Sequence, residues 1–274
     1  MNYLKNLYRI ITPNIIRKII YILRRILFNP KGIFIVNNNS YNEDGLATNH
    51  IVDFLKDEKF MKSYSEATKN NALGTHPGEI RYRAYIINYF ADYVLKKFYK
   101  EDGDFVELGT GKGIMAKVIM SNTELTNQNK RKFYLFDTFN GIPELTKNSK
   151  ELENIRYLNK ISFKGNYFNF VESKFSMYSN VELVRGELPE SLNKILNKIN
   201  KIIFLHIDLN NAFSEIESIK LIYDKLAEGC VIVLDDYCYD ELFREQKNAW
   251  DSFIKTKNNT ILSLPTGQGI FFKI

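Results

Sequence analysis

Three glycines at alternate positions follow an acidic residue near the middle of the chain. The sequence there is FVELGTGKGIMAKVIM, in which Glu107 precedes Gly109, Gly111 and Gly113. Glycines let the backbone adopt positive φ and approach a ligand closely, and the first N–H groups of a following helix are free to face that ligand. The pattern therefore predicts a strand, a ligand-binding turn and a helix.

The spacing of these glycines differs from that of a dinucleotide-binding turn. The pattern is G-x-G-x-G, so the third glycine comes one residue earlier than in G-x-G-x-x-G. We interpret the turn as a nucleoside site that holds no pyrophosphate, such as a site for S-adenosylmethionine. Thr110 and Gly111 lie within the turn and are candidate contacts to the same ligand.

Short apolar segments alternate with helical patterns in the second half of the chain. The predicted strands are Phe105–Glu107, Phe133–Phe136, Val181–Val184, Ile202–Ile207 and Val231–Leu234. This alternation predicts an α/β fold with a doubly wound, mostly parallel sheet. A helix is expected over residues 219–226, ended by Gly229, and the apolar segments around Thr266–Gly269 predict a terminal hairpin.

Polar residues stand at the end of every predicted strand. Because open parallel sheets bind ligands beyond the carboxyl ends of their strands, these positions form the candidate site. They are Glu107, Asp137, Thr138, Gly186, Glu187, Asp208, Asn210, Asp235 and Asp236. Asp137 is suited to accept hydrogen bonds from ribose hydroxyls, and its alternative role is to cap a turn.

Three of these acids follow strands that are expected to be neighbours. Asp208, Asp235 and Asp236 could converge on a hard divalent cation such as Mg²⁺, whose preferred ligands are oxygens. Carboxylates gathered at one edge of a sheet are costly unless they meet a cation or hydroxyls. The alternative is that the Asp235–Asp236 pair only caps a helix.

Length and composition suit a soluble globular protein. The chain has 274 residues, of which 45% are hydrophobic and 26% charged, and this balance argues against global disorder and against a polytopic membrane protein. We divide it into a leader and linker at 1–45, a helical cap at 46–100 and a Rossmann-like domain at 101–274. A polar linker is expected at 37–44, and helices over 51–56, 60–69 and 79–100.

The net charge of +6 is concentrated in the leader. No acidic residue precedes Glu43, whereas Arg17, Lys18, Arg24 and Arg25 share one face of a predicted amphipathic helix. This helix is too charged to span a membrane, and it lacks the cleavage site of a signal peptide. Residues 1–30 are expected to lie on an anionic membrane surface, or to pack on the protein's own core or on another subunit of a homo-oligomer.

The charge distribution and the cysteines also bear on partners and compartment. Because the excess of cations is confined to one segment, nucleic-acid binding is not indicated. Cys230 and Cys238 fit a reducing cytoplasm better than a disulfide framework. We expect a cytoplasmic protein, or one held at the inner face of the cytoplasmic membrane.

Five segments in order resemble the macrocin and mycinamicin O-methyltransferase family. They are FVELGTGKG, LFDTFNGIPE, VELVRGELPESL, FLHIDLNNAFSEIESIKLIYDKLAEGCVIVLDDY and LPTGQGIFFK, and DGLATNHIVDFLKDEKF resembles the family's N-terminal segment. The resemblance covers roughly residues 44–273. It implies a class I methyltransferase fold with a seven-stranded sheet, S-adenosylmethionine and Mg²⁺ as cofactors, and a sugar hydroxyl as the acceptor, with some members found in polysaccharide loci.

The resemblance also assigns roles to individual residues. Glu107, Gly109 and Gly113 would hold the methionine part and the ribose of the cofactor, while Asp137 and Thr138 would lie by the ribose or adenosine. The metal ligands would be Asp208, Asp235 and Asp236. The full set of candidate cofactor contacts is Glu107, Gly109, Thr110, Gly111, Gly113, Asp137, Thr138, Gly186, Glu187 and Asp208.

One position departs from the family pattern. The family has D-x-D after the fourth strand, and its second Asp is a candidate general base, whereas this chain has Asp208-Leu209-Asn210. An amide takes up no proton at neutral pH, although its oxygen can still ligate or orient. His76 is another candidate base, and for His206 a structural role below the site outweighs a role as base.

The segment from Pro143 to Ser179 is rich in Tyr, Phe and Lys. It would face the acceptor, with Lys164, Tyr167 and Lys174 as possible contacts to a phosphate, or it is an ordinary surface excursion. Three functions stay open from the sequence. They are a Mg²⁺-dependent methyltransferase acting on a glycan, nucleotide sugar or lipid-linked sugar, a catalytically silent protein that binds S-adenosylmethionine, and a catechol-type methyltransferase for small molecules.

Overall fold

The computed structural model describes residues 40–69, 80–128, 130–161, 163 and 165–274. The basic leader, His76 and Lys164 lie outside these residues. By its contacts the chain divides into two compact units, and the larger one comprises Asn42–Leu46 and Ile51–Ile274. Of the smaller unit, residues 40–41 and 47–50 are described.

Strands and helices alternate along the described residues. The strands are β1 Tyr41–Glu43, β2 Leu46–Thr48, β3 Asp104–Leu108, β4 Phe133–Asp137, β5 Val181–Arg185, β6 Ile202–Ile207, β7 Leu226–Leu234, β8 Leu262–Ser263 and β9 Gly269–Phe272. The α-helices are α1 Glu58–Thr68, α2 Arg81–Lys97, α3 Ile114–Asn122, α4 Ser149–Ile161, α5 Phe168–Phe175, α6 Glu190–Ile195, α7 Ala212–Ile222 and α8 Arg244–Thr256.

Seven of these strands form one sheet in the order β5-β4-β3-β6-β7-β9-β8. Neighbours are parallel from β5 to β7, and β9 is antiparallel to both β7 and β8. The predicted mostly parallel, seven-stranded sheet with a terminal hairpin is confirmed. The order of the strands reverses between β3 and β6, and sheets of this kind bind ligands in the crevice at such a reversal.

The two strands beside that crevice are buried, and each carries one charged side chain in its buried part. β6 has the sequence IIFLHI with all six residues buried, and in β3 the last four residues of DFVEL are buried. Strands covered on both faces have nearly continuous apolar sequences. Glu107 and His206 are the exceptions within these two strands, and they are paired across the sheet in register.

The predicted helix over residues 219–226 is wrong in its boundaries. α7 starts at Ala212, because the side chain of Asn211 accepts a hydrogen bond from the N–H of Ser214 at 2.8 Å and so caps the helix. β7 already begins at residue 226. Gly229 lies within β7 instead of ending a helix, and the shift of register between β6 and β7 marks an irregularity at this part of the strand.

The predicted polar linker at 37–44 contains a strand. β1 and β2 form a two-stranded sheet and are joined by Asp44 and Gly45, whose φ angles are 52° and 77°. Two successive residues at positive φ are typical of the tight hairpin turns that the Asp-Gly pair favours. The linker interpretation overlooked this turn signal.

The expected helices of the cap are present in part. The patterns at 60–69 and 79–100 correspond to α1 and α2, whereas the pattern at 51–56 gives only a short 3₁₀ turn at Asp53–Lys56. The segment between Pro143 and Ser179 contains α4 and α5.

The described residues contain no disulfide and no helix that is long and apolar enough to cross a membrane. Cys230 and Cys238 are both free thiols, the first buried and the second half-buried.

A buried arginine fixes the connection between α2 and β3. Arg131 is 3% exposed, and its guanidinium donates hydrogen bonds to the carbonyl oxygens of Phe98 at 2.6 Å, Glu101 at 2.7 Å and Gly103 at 3.0 Å. These carbonyl oxygens precede the strand that carries Glu107. Arg131 therefore fixes the backbone that leads into β3, a central strand of the sheet.

We expect Arg131→Met to lower the free energy of unfolding by about 2 to 4 kcal/mol, because it leaves buried carbonyl oxygens without donors. Lys132→Met is the matched control, since Nζ of Lys132 only reaches the carbonyl oxygen of Ser179 at the surface. We expect a change within about 0.5 kcal/mol for the control. Chemical denaturation measures both variants, and equal losses would show that Arg131 does not hold this connection.

Candidate active site

The glycine turn lies between the ends of β3 and β6. Gly109 has a φ of 92°, and a Cβ there would lie 1.9 Å from the backbone carbonyl oxygen of Asp208. At Gly111, with a φ of 53°, the position of a Cβ has no atom of the described residues within 4 Å beyond its chain neighbours. The turn therefore packs tightly on β6 at Gly109 and opens to a cleft at Gly111, as a ligand cradle does.

Glu107 offers one carboxylate oxygen to this cleft. The residue is 1% exposed, and its Oε1 lies 2.9 Å from Nδ1 of His206. Within the described part of the chain, the buried Oε2 has no hydrogen-bond partner of good geometry. Burial raises the pKa of Glu107, although His206 and the nearby hydroxyl of Thr110 oppose the shift. Buried polar atoms of this kind fit a ligand that brings donors, such as the ammonium group of S-adenosylmethionine.

Asp137 accepts hydrogen bonds from the chain itself. Oδ2 accepts from the N–H of Gly111 at 2.7 Å, and Oδ1 accepts from the N–H of Phe139 and from the hydroxyl of Tyr167 at 3.1 Å. Burial raises the pKa of Asp137 against the effect of these donors. The hydroxyl of Thr138 donates to the carbonyl oxygen of Gly141, so it belongs to the turn after β4.

The other predicted cofactor residues lie in different surroundings. Gly186 lines a small cavity beside Asp137, and its N–H donates to the carbonyl oxygen of Asp137 at 3.0 Å. The side chain of Glu187 is exposed. Gly113 starts α3, and a Cβ there would lie 2.6 Å from the ring of Phe175, so this glycine allows α5 to pack on the turn.

Two cavities share the glycine turn as a wall. The larger, of about 290 Å³, contacts Glu107, Thr110, Lys112, Asp235, Asp236 and Tyr239, and the smaller, of about 50 Å³, contacts Asp137, Thr138, Tyr167, Gly186 and Leu188. Gly109, Gly111, Asp208 and Asn210 line both. The residues predicted at the ends of β3, β4, β6 and β7 are therefore brought to one connected region.

A buried arginine lies among the acids of the larger cavity. Arg83 is 5% exposed, and its Nη1 lies 2.6 Å from Oδ2 of Asp235 and 3.4 Å from Oδ1 of Asp236. Its Nε donates to Oδ2 of Asp44 at 2.8 Å, and the guanidinium lies over the ring of Tyr239 at 5.0 Å. Burial alone would lower the pKa of Arg83, but these acids outweigh burial and raise it. The guanidinium thus stays charged.

Of the acids beside Arg83 in the larger cavity, Asp235 is the one that the chain satisfies most fully. Its Oδ1 accepts a hydrogen bond from Nε2 of Gln268 at 2.9 Å, while its Oδ2 accepts from Arg83. Burial would raise the pKa of Asp235, but Arg83, His206 and Gln268 outweigh burial and lower it. Both carboxylate oxygens already accept hydrogen bonds, so in this structure Asp235 serves as the ion-pair partner of Arg83.

Asp208 and Asp236 are less fully satisfied. Oδ1 of Asp208 accepts from Nδ2 of Asn210 at 3.0 Å, and among the described residues nothing donates to Oδ2 of either acid. Burial and the nearby acid Asp235 raise the pKa of Asp208 to about 7, and burial with Asp208 raises that of Asp236 well above its usual value. These two carboxylates have the oxygen donors and the excess negative charge that fit a hard divalent cation.

The three predicted ligands are not gathered into a complete ligand set. No group of three His, Cys, Asp or Glu side chains within the described ranges has an arrangement that could hold a metal ion. Arg83 and Gln268 bind the oxygens of Asp235. Asp208 and Asp236 are therefore left as the two candidate oxygen ligands, with Asp235 beside them.

His206 lies between two acids below the cleft. Its Nδ1 is 2.9 Å from Glu107, and its Nε2 is 3.7 Å from Oδ1 of Asp235. Burial lowers the pKa of His206, but Asp235 and Glu107 outweigh burial and raise it to about 10. A charged imidazolium takes up no further proton at neutral pH, so this geometry gives His206 a structural role.

Asn210 is positioned by an unusual backbone conformation. Its φ is 54°, in the left-handed region that asparagine tolerates better than most residues. The side-chain amide donates to Asp208, so Asn210 orients this carboxylate. His76, the other candidate base, lies outside the described residues.

Two residues considered as phosphate contacts bind the chain instead. Tyr167 donates to Asp137, and Nζ of Lys174 donates to the carbonyl oxygens of Ala67 at 3.1 Å and Lys112 at 2.7 Å. Lys164 lies outside the described residues.

Sequence reasoning missed Arg83 and its partner Asp44. A signal was available, because Arg83 falls on the same face of the predicted helix as the buried residues Ile87, Ala91 and Val94. A charged residue on an apolar helical face is buried with a partner or lines a site. Asp44 gave no such signal, since it stands in a tight turn.

Three solved structures with the same fold are methyltransferases. The chain matches the O-methyltransferase NovP at 17% identity with a TM-score of 0.61, covering 81% of this chain and 97% of NovP. It matches CalS11, a calicheamicin methyltransferase, at 15% identity with a TM-score of 0.56, covering 81% of this chain and 94% of CalS11. An O-methyltransferase from Bacillus cereus in complex with SAH matches at 13% identity with a TM-score of 0.51. The match covers 77% of this chain and 89% of that enzyme.

The fold and the site define a class I methyltransferase that depends on S-adenosylmethionine. Residues 92–266 match the family model of macrocin O-methyltransferase (TylF), and the chain belongs to this family. None of the curated proteins compared with the chain matches it. The resemblance inferred from the sequence motifs is therefore confirmed, and the protein is an O-methyltransferase of the sugar and natural-product type.

We expect Gly109→Ala to destabilise the protein far more than Gly111→Ala. Both residues have positive φ, so both variants carry a similar backbone strain of about 1 kcal/mol. Only at Gly109 would the new Cβ meet the carbonyl oxygen of Asp208. Thermal unfolding compares the two, and equal shifts in Tm would show that the turn does not pack on β6 as described.

Proposed function

We propose that this protein is a Mg²⁺-dependent O-methyltransferase that transfers a methyl group from S-adenosylmethionine to a sugar hydroxyl. The observation that supports it most is that the glycine turn and Glu107 share one cleft with Asp208 and Asp236. Membership in the macrocin O-methyltransferase family supports the same reaction.

The methyl donor would lie across both cavities. Oε2 of Glu107 and the hydroxyl of Thr110 would receive the methionine part, and Asp137 with Gly186 would receive the nucleoside in the smaller cavity. Gly109, Gly111, Gly113, Thr138, Glu187 and Asp208 remain candidate contacts. This arrangement would bring the sulfonium to the shared wall at Gly109 and Asp208.

The reaction forms an O–CH₃ bond while the S–CH₃ bond breaks. The chain must hold the acceptor oxygen in line with the methyl carbon and the sulfur, and the hydroxyl must lose its proton. The larger cleft would hold the acceptor, with Tyr239 and Phe243 offering apolar ring surfaces and Asp240 a hydrogen-bond acceptor. A cleft of this mixed character suits a sugar, which has both apolar faces and hydroxyl groups.

Asp208 and Asp236 would hold the cation, with Asp235 as the third candidate ligand. Bound Mg²⁺ would supply Lewis-acid polarisation that lowers the pKa of the acceptor hydroxyl. Asn210 would keep Asp208 in the orientation that this requires. Asp208 and Asn210, two of the proposed catalytic residues, would act by orienting other groups. His76, the third, remains a candidate base.

The biological acceptor would be a glycan, a nucleotide sugar or a lipid-linked sugar in the synthesis of a surface polysaccharide or a glycosylated metabolite. We further propose a cytoplasmic homo-oligomer that contacts the inner face of the membrane through residues 1–30. The four leader cations and the apolar residues between them support this contact.

Replacing the unsatisfied acids tests the metal assignment. We expect Asp208→Asn and Asp236→Asn each to lower Mg²⁺-dependent turnover by about a hundredfold or more, because several kcal/mol of stabilisation of the transition state is lost. Binding of S-adenosylhomocysteine to Asp236→Asn, measured by titration calorimetry, should change little. Turnover is followed by mass spectrometry on a panel of nucleoside-diphosphate sugars, with and without EDTA.

Asp92→Asn is the matched control, because this partly exposed acid pairs with Lys96 at 2.5 Å on α2 and lines neither cavity. Turnover that resists EDTA would contradict the role of a metal. Cofactor binding without methyl transfer to any acceptor would favour a catalytically silent protein, and transfer to catechols alone would favour the catechol-type alternative.

Deleting residues 1–30 should release the protein from anionic vesicles. We expect cosedimentation with vesicles rich in phosphatidylglycerol to be lost, because each cation near such a surface contributes about 1 kcal/mol. The full chain with Arg17, Lys18, Arg24 and Arg25 replaced by Gln is the matched variant and should behave likewise. Persistent vesicle binding, or loss of an oligomer in size-exclusion chromatography, would contradict the membrane role.

A further inference from the structure

The hydrogen-bonding capacity of Asp137 is nearly used up by the chain. A carboxylate offers about four acceptor positions, two on each oxygen. Oδ1 accepts from the N–H of Phe139 and the hydroxyl of Tyr167, and Oδ2 accepts from the N–H of Gly111. Only one position, on Oδ2, is left for a ligand, whereas a ribose presents two adjacent hydroxyls as donors.

The three donors differ in how readily they can leave. The N–H groups of Gly111 and Phe139 belong to the backbone of the turns after β3 and β4, so neither can move without changing a turn. The hydroxyl of Tyr167 is the end of a side chain, which rotation about its χ angles can carry away. Tyr167 is therefore the exchangeable donor on Asp137.

The backbone of Tyr167 is anchored beside the acid that its hydroxyl contacts. Its N–H donates to the carbonyl oxygen of Phe139 at 3.0 Å, and its ring meets the ring of Phe139 edge to face at 6.0 Å between centroids. Tyr167 stands immediately before α5, where a small capping side chain is the usual choice. A large phenol at this position is not required by the helix.

The cavity on this side of the site is the smaller of the two. Its volume is about 50 Å³, and Tyr167 and Asp137 are both in its wall. Because the phenol points to Asp137, its departure would free both volume and an acceptor position.

We propose that Tyr167 sets the affinity for S-adenosylmethionine by competing with the ribose hydroxyls for Oδ1 of Asp137. The inference rests on the proposed cofactor site and adds to it a residue that opposes binding. Cofactor binding then exchanges one hydroxyl donor for another on the same carboxylate. The exchange keeps Asp137 satisfied in the free protein, at the expense of affinity for the ligand.

The test compares Tyr167→Phe with the full-length wild type by titration calorimetry. We expect S-adenosylhomocysteine to bind about three- to tenfold more tightly to the variant, which is the range of one net hydrogen bond. The analogue that lacks both ribose hydroxyls should bind equally to both proteins, because it has no hydroxyl that would displace the phenol hydroxyl of Tyr167 from Asp137. Phenylalanine retains the ring contact with Phe139, so the variant keeps the packing of this turn.

Tyr178→Phe is the matched control, because it removes a hydroxyl that accepts from Nζ of Lys117 at 2.7 Å and does not line the cavity. This variant should bind both S-adenosylhomocysteine and the dideoxy analogue with the affinities of the wild type. Equal or weaker binding of S-adenosylhomocysteine to Tyr167→Phe would overturn the proposal, and so would an equal gain with the dideoxy analogue, which would indicate added volume alone. If neither protein binds S-adenosylhomocysteine, the cofactor site itself is refuted, and this inference with it.

Discussion

The burial of acids at the ends of the central strands is the constraint on which the site depends. Glu107, His206, Asp235, Arg83 and Asp44 form a chain of alternating negative and positive groups, with 2.6 to 3.7 Å between successive partners. Buried charges are tolerated only when they are paired and hydrogen-bonded. The two cations thus offset part of the cost of burying three acids in the interior of the protein, and Gln268 adds a further donor.

This chain of charges connects parts that are distant in sequence. Arg83 belongs to α2, Asp44 to the turn between β1 and β2, and Asp235 to the end of β7. The guanidinium is planar and offers several donors in fixed directions, so it can serve Asp44 and Asp235 at once. A lysine offers a single point charge and would satisfy fewer of these oxygens. The geometry of arginine therefore joins the elements before the glycine turn to the strand ends at the larger cavity.

Periodicity in the sequence was enough for the sheet and for the position of the polar residues at its edge. The central strands are buried on both faces, so β3 and β6 stand out as apolar segments, and the acids that follow them had to lie at one edge of the sheet. The boundary of α7 was missed because Gly229 is equally typical of a helix end and of an irregular strand. The contacts of Arg83 and Tyr167 were missed for another reason. Each depends on an acid more than 25 residues away in the sequence, and local patterns carry no information about such pairs.

The two sides of the site satisfy their acids in opposite ways. Beside the smaller cavity, the chain gives Asp137 three donors, so a ligand that binds there must exchange donors and gains only the difference between them. Beside the larger cavity, Asp208 and Asp236 keep oxygens without donors and repel each other, so a cation that binds there relieves a cost already present in the folded protein. Under the proposed function, nucleoside binding would be close to balanced, whereas binding at the acceptor side would be driven by charge. Since Asp208 lies in the wall of both cavities, occupation of one side would alter the surroundings of the other, and this residue would link the proposed sites of the methyl donor and the acceptor.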